Sequence, residues 1–331
     1  MDRRTFISTV AVTLTAWPIA ARAQQPERMR RIGVLMGYPE NDLEGPAFFA
    51  AFRQGLDKLG WVEGRNIRFY TRWAAPENAE ARQRFAKELV ALQPDLILSA
   101  VTPTTAALLE HTHTIPIVFA TVSDPVGSGF VASLARPGGN VTGFQAMVGS
   151  LASKWLELLK EIAPRVAKVA MLFNPAVAPY AESFLSPFRD AASSLAVEAI
   201  AAPVRDMSEL ESVVATQARA PNGGVIVMPD TFMDVHRAEI ASLAARFSVP
   251  TIYPRRIFAE VGGLVSYGID QLDLYRRAAT YADRILNGAK PADLPVERPA
   301  RFELVINLKT ARALGITIPQ SLLVRADAVI R

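Results

Sequence analysis

Residues 135 to 143 read Ala135-Arg136-Pro137-Gly138-Gly139-Asn140-Val141-Thr142-Gly143, three glycines and a proline in nine positions. Such a stretch interrupts any regular element, and the chain keeps one grammar on either side of it. Before the break, short apolar runs occupy 32–36, 67–70, 96–100 and 115–121; after it, 169–173, 225–228, 251–253 and 264–267. These runs are nearly continuously apolar, as parallel strands buried on both faces must be. The intervening segments have helical spacing. Phe49, Phe52, Leu56 and Leu59 form one stripe that stops at Gly60. Leu274, Ala278, Tyr281 and Ile285 form another before Asn287-Gly288, and Trp155, Leu159 and Ile162 a third before Pro164. Strand and helix in alternation predict an α/β fold with parallel sheets covered on both faces.

Because the break separates two similar halves, it reads as a crossing between two Rossmann-like lobes. Further changes of character at Glu260-Val261-Gly262-Gly263 and in the proline-bearing stretch 290–299 supply two more crossings, hence a multi-strand hinge. The predicted division is 31–147 plus 257–292 for one lobe and 148–256 plus 293–331 for the other. A single large sheet with ordinary surface loops is the competing reading.

The N-terminus carries an address. Arg3 and Arg4 precede an apolar stretch from Phe6 to Trp17, and Ala21-Arg22-Ala23 has the small residues a signal peptidase reads, so residues 1–23 are expected to be a cleaved signal peptide. Arg3-Arg4-Thr5-Phe6-Ile7 is similar to a twin-arginine export signal, although Asp2 and Ser8 depart from that pattern; an ordinary secretory segment with two arginines is the alternative. Removing it leaves 33 basic against 31 acidic residues, with no block of like charge to hold a polyanion, so no nucleic-acid partner is expected. Cysteine is absent, which removes disulfides, thiolate metal sites and a lipid-attachment cysteine together. No apolar run beyond the signal is long enough to span a bilayer. The expectation is a free monomer in a Gram-negative periplasm, needing no cofactor.

Pro125 to Gly143 (PVGSGFVASLARPGGNVTG), Val261-Gly262-Gly263-Leu264, Lys290-Pro291-Ala292-Asp293-Leu294-Pro295, Val305-Ile306-Asn307 and Leu314-Gly315-Ile316-Thr317-Ile318-Pro319 occur in an order that resembles one family. It is the ABC-transporter substrate-binding proteins of the TrpX-like group, whose fold resembles the type I periplasmic binding protein clamshell. The resemblance implies capture of a small solute, an amino acid and in some members an aromatic one, and its delivery to an inner-membrane ABC permease driven by a cytoplasmic ATPase.

In open α/β sheets ligands sit outside the carboxyl ends of the strands. The residues there are Tyr38; Thr102, Thr104 and Thr105; Ser123 and Asp124; Asn174; Asp230; and Tyr253 with Arg256. Asp124 and Asp230 either cap the next turn or receive a ligand ammonium. The threonines either cap a helix or open its free N–H groups to a carboxylate, and Arg256 is slightly preferred over Arg255 as a carboxylate fork. Tyr38, Trp73, Phe144, Tyr253 and Tyr267 are the aromatic candidates for pocket walls.

Catalytic signals fail. Gly127-Ser128-Gly129-Phe130-Val131-Ala132 fits a dinucleotide fingerprint but stands five residues from the nearest strand and has no acidic partner at the required distance. His111, His113 and His236 lack metal-ligand spacing, and neither a Walker A loop nor a nucleophile elbow occurs. The reading is a solute receptor that works by hinge closure, with no catalytic residue and no metal. Its rivals are an exported α/β enzyme and a ligand-sensing module for a membrane signalling receptor.

Overall fold

The computed structural model describes residues 28–299 and 301–331; the expected signal segment lies outside them. The first lobe is built in sequence order from β1 (Arg30–Met36), α1 (Glu44–Lys58), β2 (Ile67–Trp73), α2 (Ala79–Ala91), β3 (Leu96–Val101), α3 (Thr102–Leu109), β4 (Ile117–Val122) and β5 (Val141–Gln145). Its sheet runs β2-β1-β3-β4-β5 with every pair parallel. Period-two alternation distributes the strand residues. On β1, Ile32, Val34 and Met36 pack with Phe52 and Leu56 of α1, while Leu35 on the opposite face meets Ala86 and Leu89 of α2. A sheet buried on both sides needs such continuous apolar runs.

The second lobe follows with α4 (Leu151–Ile162), β6 (Lys168–Phe173), α5 (Ala181–Ser194), β7 (Glu198–Pro203), α6 (Met207–Arg219), β8 (Gly223–Val227), α7 (Thr231–Val235), α8 (Arg237–Arg246), β9 (Thr251–Tyr253), α9 (Arg256–Glu260) and β10 (Val265–Gly268). The chain then returns to the first lobe as α10 (Gln271–Leu286), whose Leu274, Ala278 and Ile285 join the core under β1 and β3. It ends in the second lobe as β11 (Glu303–Asn307), α11 (Leu308–Ala313), α12 (Gln320–Arg325) and β12 (Ala328–Ile330). That sheet is β12-β11-β10-β9-β8-β6-β7, parallel except where β10 meets β11.

The expected alternation and all eight predicted strand sites are present, but the crossings lie elsewhere. Residues 135–143 run into β5, which belongs to the first sheet, so the first crossing comes after Gln145. Glu260–Gly263 turns within the second lobe between α9 and β10. The second crossing is at 269–270, where Asp270 caps α10 by accepting the N–H of Asp273 at 3.4 Å. Residues 257–268, predicted for the first lobe, therefore belong to the second, because β10 pairs with β9 through Val265↔Ile252 and Ser266↔Tyr253. The last crossing also falls later. Thr142 donates its hydroxyl to Leu294 O at 2.6 Å and the Gln145 N–H donates to Glu297 O at 2.8 Å, which keeps 294–297 with the first lobe.

Candidate functional site

Both sheets point their carboxyl ends into the space between the lobes, so loops and helix starts from each line one narrow cavity. The first lobe contributes Tyr38 after β1, Thr102 at the start of α3, Thr121 and Ser123 at the end of β4, Met147 at the first crossing and Gln271 at the second. From the second lobe come Val177, Tyr180, Asp230, Thr231 and Asp234.

Local hydrogen bonds fix these positions. Thr102 Oγ1 accepts the Ser123 N–H at 3.1 Å, tying the first turn of α3 to the end of β4. Asp230 is the N-cap of α7: Oδ1 accepts the Met233 N–H and Oδ2 the Asn174 N–H, each at 2.8 Å. The side chain thus joins the loops that follow β6 and β8. Burial pushes its carboxyl up to about 7, against the pull of those N–H groups. Tyr180 donates to Pro229 O at 2.7 Å, and burial raises its hydroxyl well above the ordinary range.

Charged groups bridge the lobes beside the cavity. Arg255, 4 % exposed, lies with Nη1 2.8 Å from Asp234 Oδ2 in its own lobe, while Nη2 donates to Glu44 Oε1 of the other. Its guanidinium also sits 5.4 Å over the ring of Phe48. Burial pulls its pKa down, but Asp234 and Glu44 outweigh this and hold it charged. Burial pushes the Asp234 carboxyl up, opposed by Arg255. Tyr38 donates to Asp234 Oδ2 across the cleft at 3.4 Å. Arg237 Nη1 reaches Asp42 Oδ2 at 3.0 Å with both side chains buried, and His236 Nε2 meets Glu77 Oε1 at 3.2 Å. The lobes stand closed on one another.

Of the predicted residues, Tyr38, Thr102, Ser123 and Asp230 come together at the cavity; the others do not. Thr104 turns inward, its hydroxyl accepting the Val101 N–H at 3.0 Å and lying 2.9 Å from Ser99 Oγ. Asp124 has a left-handed backbone (φ 45°) and caps its own turn through the Gly127 N–H at 2.9 Å. Asn174 organises the loop after β6, its Oδ1 accepting the Ala176 N–H. Tyr253 is buried in the second lobe, stacked on Phe258 at 5.1 Å. Arg256 is exposed and paired with Glu260 and Glu303, whereas the adjacent Arg255, placed second in the prediction, faces the other lobe. Of the five aromatic candidates only Tyr38 lines the cavity: Phe144 packs on Tyr281, Tyr267 on Phe302, and Trp73 edge-on to Phe49. Tyr180, Asp234 and Gln271 went unpredicted, and Arg255 was ranked below Arg256. Tyr180, Asp234 and Gln271 lie beyond the strand ends, where helix phase decides which side chain turns inward. Among the described residues no three His, Asp or Glu side chains gather as a metal site.

Residues 43–330 match the family described as ABC transporter substrate binding protein. The chain belongs to that family. It is 28% identical over 293 residues to a tyrosine-binding protein of Clostridioides difficile, covering 88% of this chain and 82% of that one. The structure of an ABC domain in complex with L-Trp from Streptococcus pneumoniae superposes with a TM-score of 0.82 at 28% identity, covering 91% of this chain and all of that one. A ligand-free, open substrate-binding protein from Clostridium difficile gives a TM-score of 0.67 at 25% identity, covering 91% and 99%. The fold is the type I periplasmic-binding clamshell, and the chain is a substrate-binding protein of an ABC transporter. Its relatives are solute binders, in line with the lack of catalytic motifs in the sequence.

Proposed function

We propose that this protein is the periplasmic receptor of an ABC importer and captures an amino acid, of the aromatic class, between its lobes before presenting it to the permease. The observation that carries the reading is the cavity itself: polar groups from the carboxyl ends of both sheets converge on it while Tyr38 and Tyr180 give it aromatic walls. The names of the tyrosine-binding and L-Trp-bound relatives support the ligand class. Hinge closure is supported by the better superposition on the L-Trp complex than on the open relative at similar identity. A ligand bridging the lobes stabilises the closed state by as much as it binds that state better than the open one. Thr102 opens α3 at the cavity, and Tyr38, Thr102, Ser123 and Asp230 are the polar groups that would surround the ligand. The twin-arginine-like tag supports export.

The test is mass spectrometry of solute released from the purified protein, then calorimetry with L-tryptophan, L-tyrosine and the remaining amino acids, and small-angle scattering with and without the ligand. Micromolar binding, about 8 kcal/mol, with a fall in radius of gyration is expected. A co-purifying solute of another class, together with no response to any amino acid, overturns the ligand assignment.

A further inference from the structure

We propose that Asp234 and Gln271, one from each lobe, form the subsite for a ligand ammonium group, and that Asp230 does not. The inference rests on the amino-acid reading above and assigns the residues that distinguish an amino acid from a plain carboxylic acid.

Two carboxylates line the cavity, and their hydrogen bonding differs. Asp230 spends both oxygens on backbone N–H groups of its own lobe. Asp234 spends only one: Oδ2 faces Arg255 Nη1 at 2.8 Å and receives the Tyr38 hydroxyl at 3.4 Å, while Oδ1 has no donor. Asp234 is 3 % exposed. From the opposite lobe, Gln271 lines the same cavity at 7 % exposure, and its Oε1 also lacks a donor. Buried acceptors without donors are uncommon in native proteins, and two that share one cavity point to a donor-rich guest.

Charge narrows the guest further. Asp234 and Glu44 share a single guanidinium, that of Arg255. The other buried arginine nearby, Arg237, is taken by Asp42 and by the Asp234 carbonyl. The Asp234–Arg255–Glu44 group therefore sets two carboxylates against one guanidinium, with Asp234 and Arg255 buried and Glu44 partly so, an imbalance that a cation relieves. A sugar hydroxyl would satisfy the acceptors and leave the charge. A primary ammonium satisfies both, giving one N–H to Asp234 Oδ1, one to Gln271 Oε1 and the third to a cavity hydroxyl. Because the two acceptors come from different lobes, this guest is held in full only when the lobes are closed.

The experiment compares each amino acid with its analogue lacking the ammonium group. Calorimetry on the full mature chain would use L-tryptophan against indolepropionate and L-tyrosine against hydroxyphenylpropionate, with Asp234→Asn, Gln271→Leu and Asp230→Asn variants. Thermal unfolding of each variant checks its fold. Wild type is expected to prefer the amino acid by about 100-fold, and Asp234→Asn to lose most of that ratio. Gln271→Leu should reduce it by about 10-fold and Asp230→Asn should keep it. The ratio matters because any effect of Asp234→Asn on closure weakens both ligands alike. An unchanged ratio in Asp234→Asn, or a collapsed ratio in Asp230→Asn, overturns the subsite. If no amino acid binds but tryptamine or tyramine binds wild type and not Asp234→Asn, the subsite stands and the amino-acid reading falls. If neither amino acids nor these amines bind, both fall.

Discussion

Gly268→Ala tests the hinge through a single methyl group. Gly268 ends β10 immediately before the second crossing and against Met147 of the first, and a Cβ there would overlap the carbonyl oxygen of Pro254, lie 2.8 Å from its carbonyl carbon and 3.0 Å from Met147 Cε. Carbon atoms rest at about 3.5–4.0 Å, so the Pro254 backbone must retreat by roughly an ångström; the methionine can swing away but a prolyl carbonyl cannot. Adding one methylene to a packed interior costs about 1–3 kcal/mol, and a clash with backbone belongs at the upper end. For a chain of this size that corresponds to a fall in Tm of about 3–5 °C. Pro254 precedes Arg255, so the displacement also moves the guanidinium that joins Asp234 to Glu44, and ligand affinity should fall by about 10-fold. The assay is scanning calorimetry with titration calorimetry on the same samples. Gly139→Ala is the control, since its Cβ meets nothing within 4 Å. A Gly268→Ala protein with the Tm and affinity of that control would refute the packing of β10 against Pro254.

Three further outcomes are expected. Arg237→Met removes the buried cross-lobe pair with Asp42 and should weaken ligand binding by roughly 10-fold or more, with scattering showing a larger open fraction; unchanged affinity would mean the pair does not hold the lobes. Asp230, raised from 3.8 to about 7 by burial, keeps a proton in the folded state that the unfolded chain has lost. Stability from this group is therefore greatest at low pH and falls by up to ~4 kcal/mol as pH rises through that window; Asp230→Asn should flatten the dependence of Tm on pH, and an equally steep profile would count against the shift. Arg256→Ala breaks two exposed ion pairs and should change stability by less than about 1 kcal/mol and leave ligand affinity unchanged, as titration calorimetry would record.

The strands that were legible in the sequence are those buried on both faces, such as β3 and β4, where every residue must be apolar or small. β5 was hidden because Val141-Thr142-Gly143-Phe144-Gln145 mixes glycine and polar residues: Gly143 lies against Phe119 where a Cβ would collide, and Thr142 serves the last crossing. β7 is an edge strand with exposed positions, so it carries little apolar signal. The site divides in the same way. Tyr38, Thr102, Ser123 and Asp230 follow strand ends, and the topology alone sends strand ends to the cleft. Asp234 stands a helical turn beyond Asp230, and only the direction of α7 decides that it faces Tyr38. Arg255 and Arg256 are indistinguishable by composition. Extended backbone at Arg255 (φ −144°, ψ 146°), the N-cap of α9, sends it across the lobes, while Arg256 starts the helix and folds back on Glu260 four residues on.

The charge arrangement at the cleft has a consequence for how strongly closure depends on a guest. The pairs Arg237–Asp42 and His236–Glu77 favour closing whether or not solute is present. If every charge between the lobes were matched, the closed state would need no ligand, and a ligand can move an equilibrium only by the difference in its affinity for the two states. The single guanidinium shared by Asp234 and Glu44 works in the opposite direction. Closing without a guest brings a lobe 1 carboxylate and a lobe 2 carboxylate onto one guanidinium, with Asp234 buried and Glu44 partly so, and opening separates them. On the subsite proposed here, the ammonium supplies the missing charge only in the closed form. The outer pairs then set how readily the lobes approach, the shared arginine makes the empty closed state costly, and the guest's contribution to closure is concentrated at the group that identifies it as an amino acid.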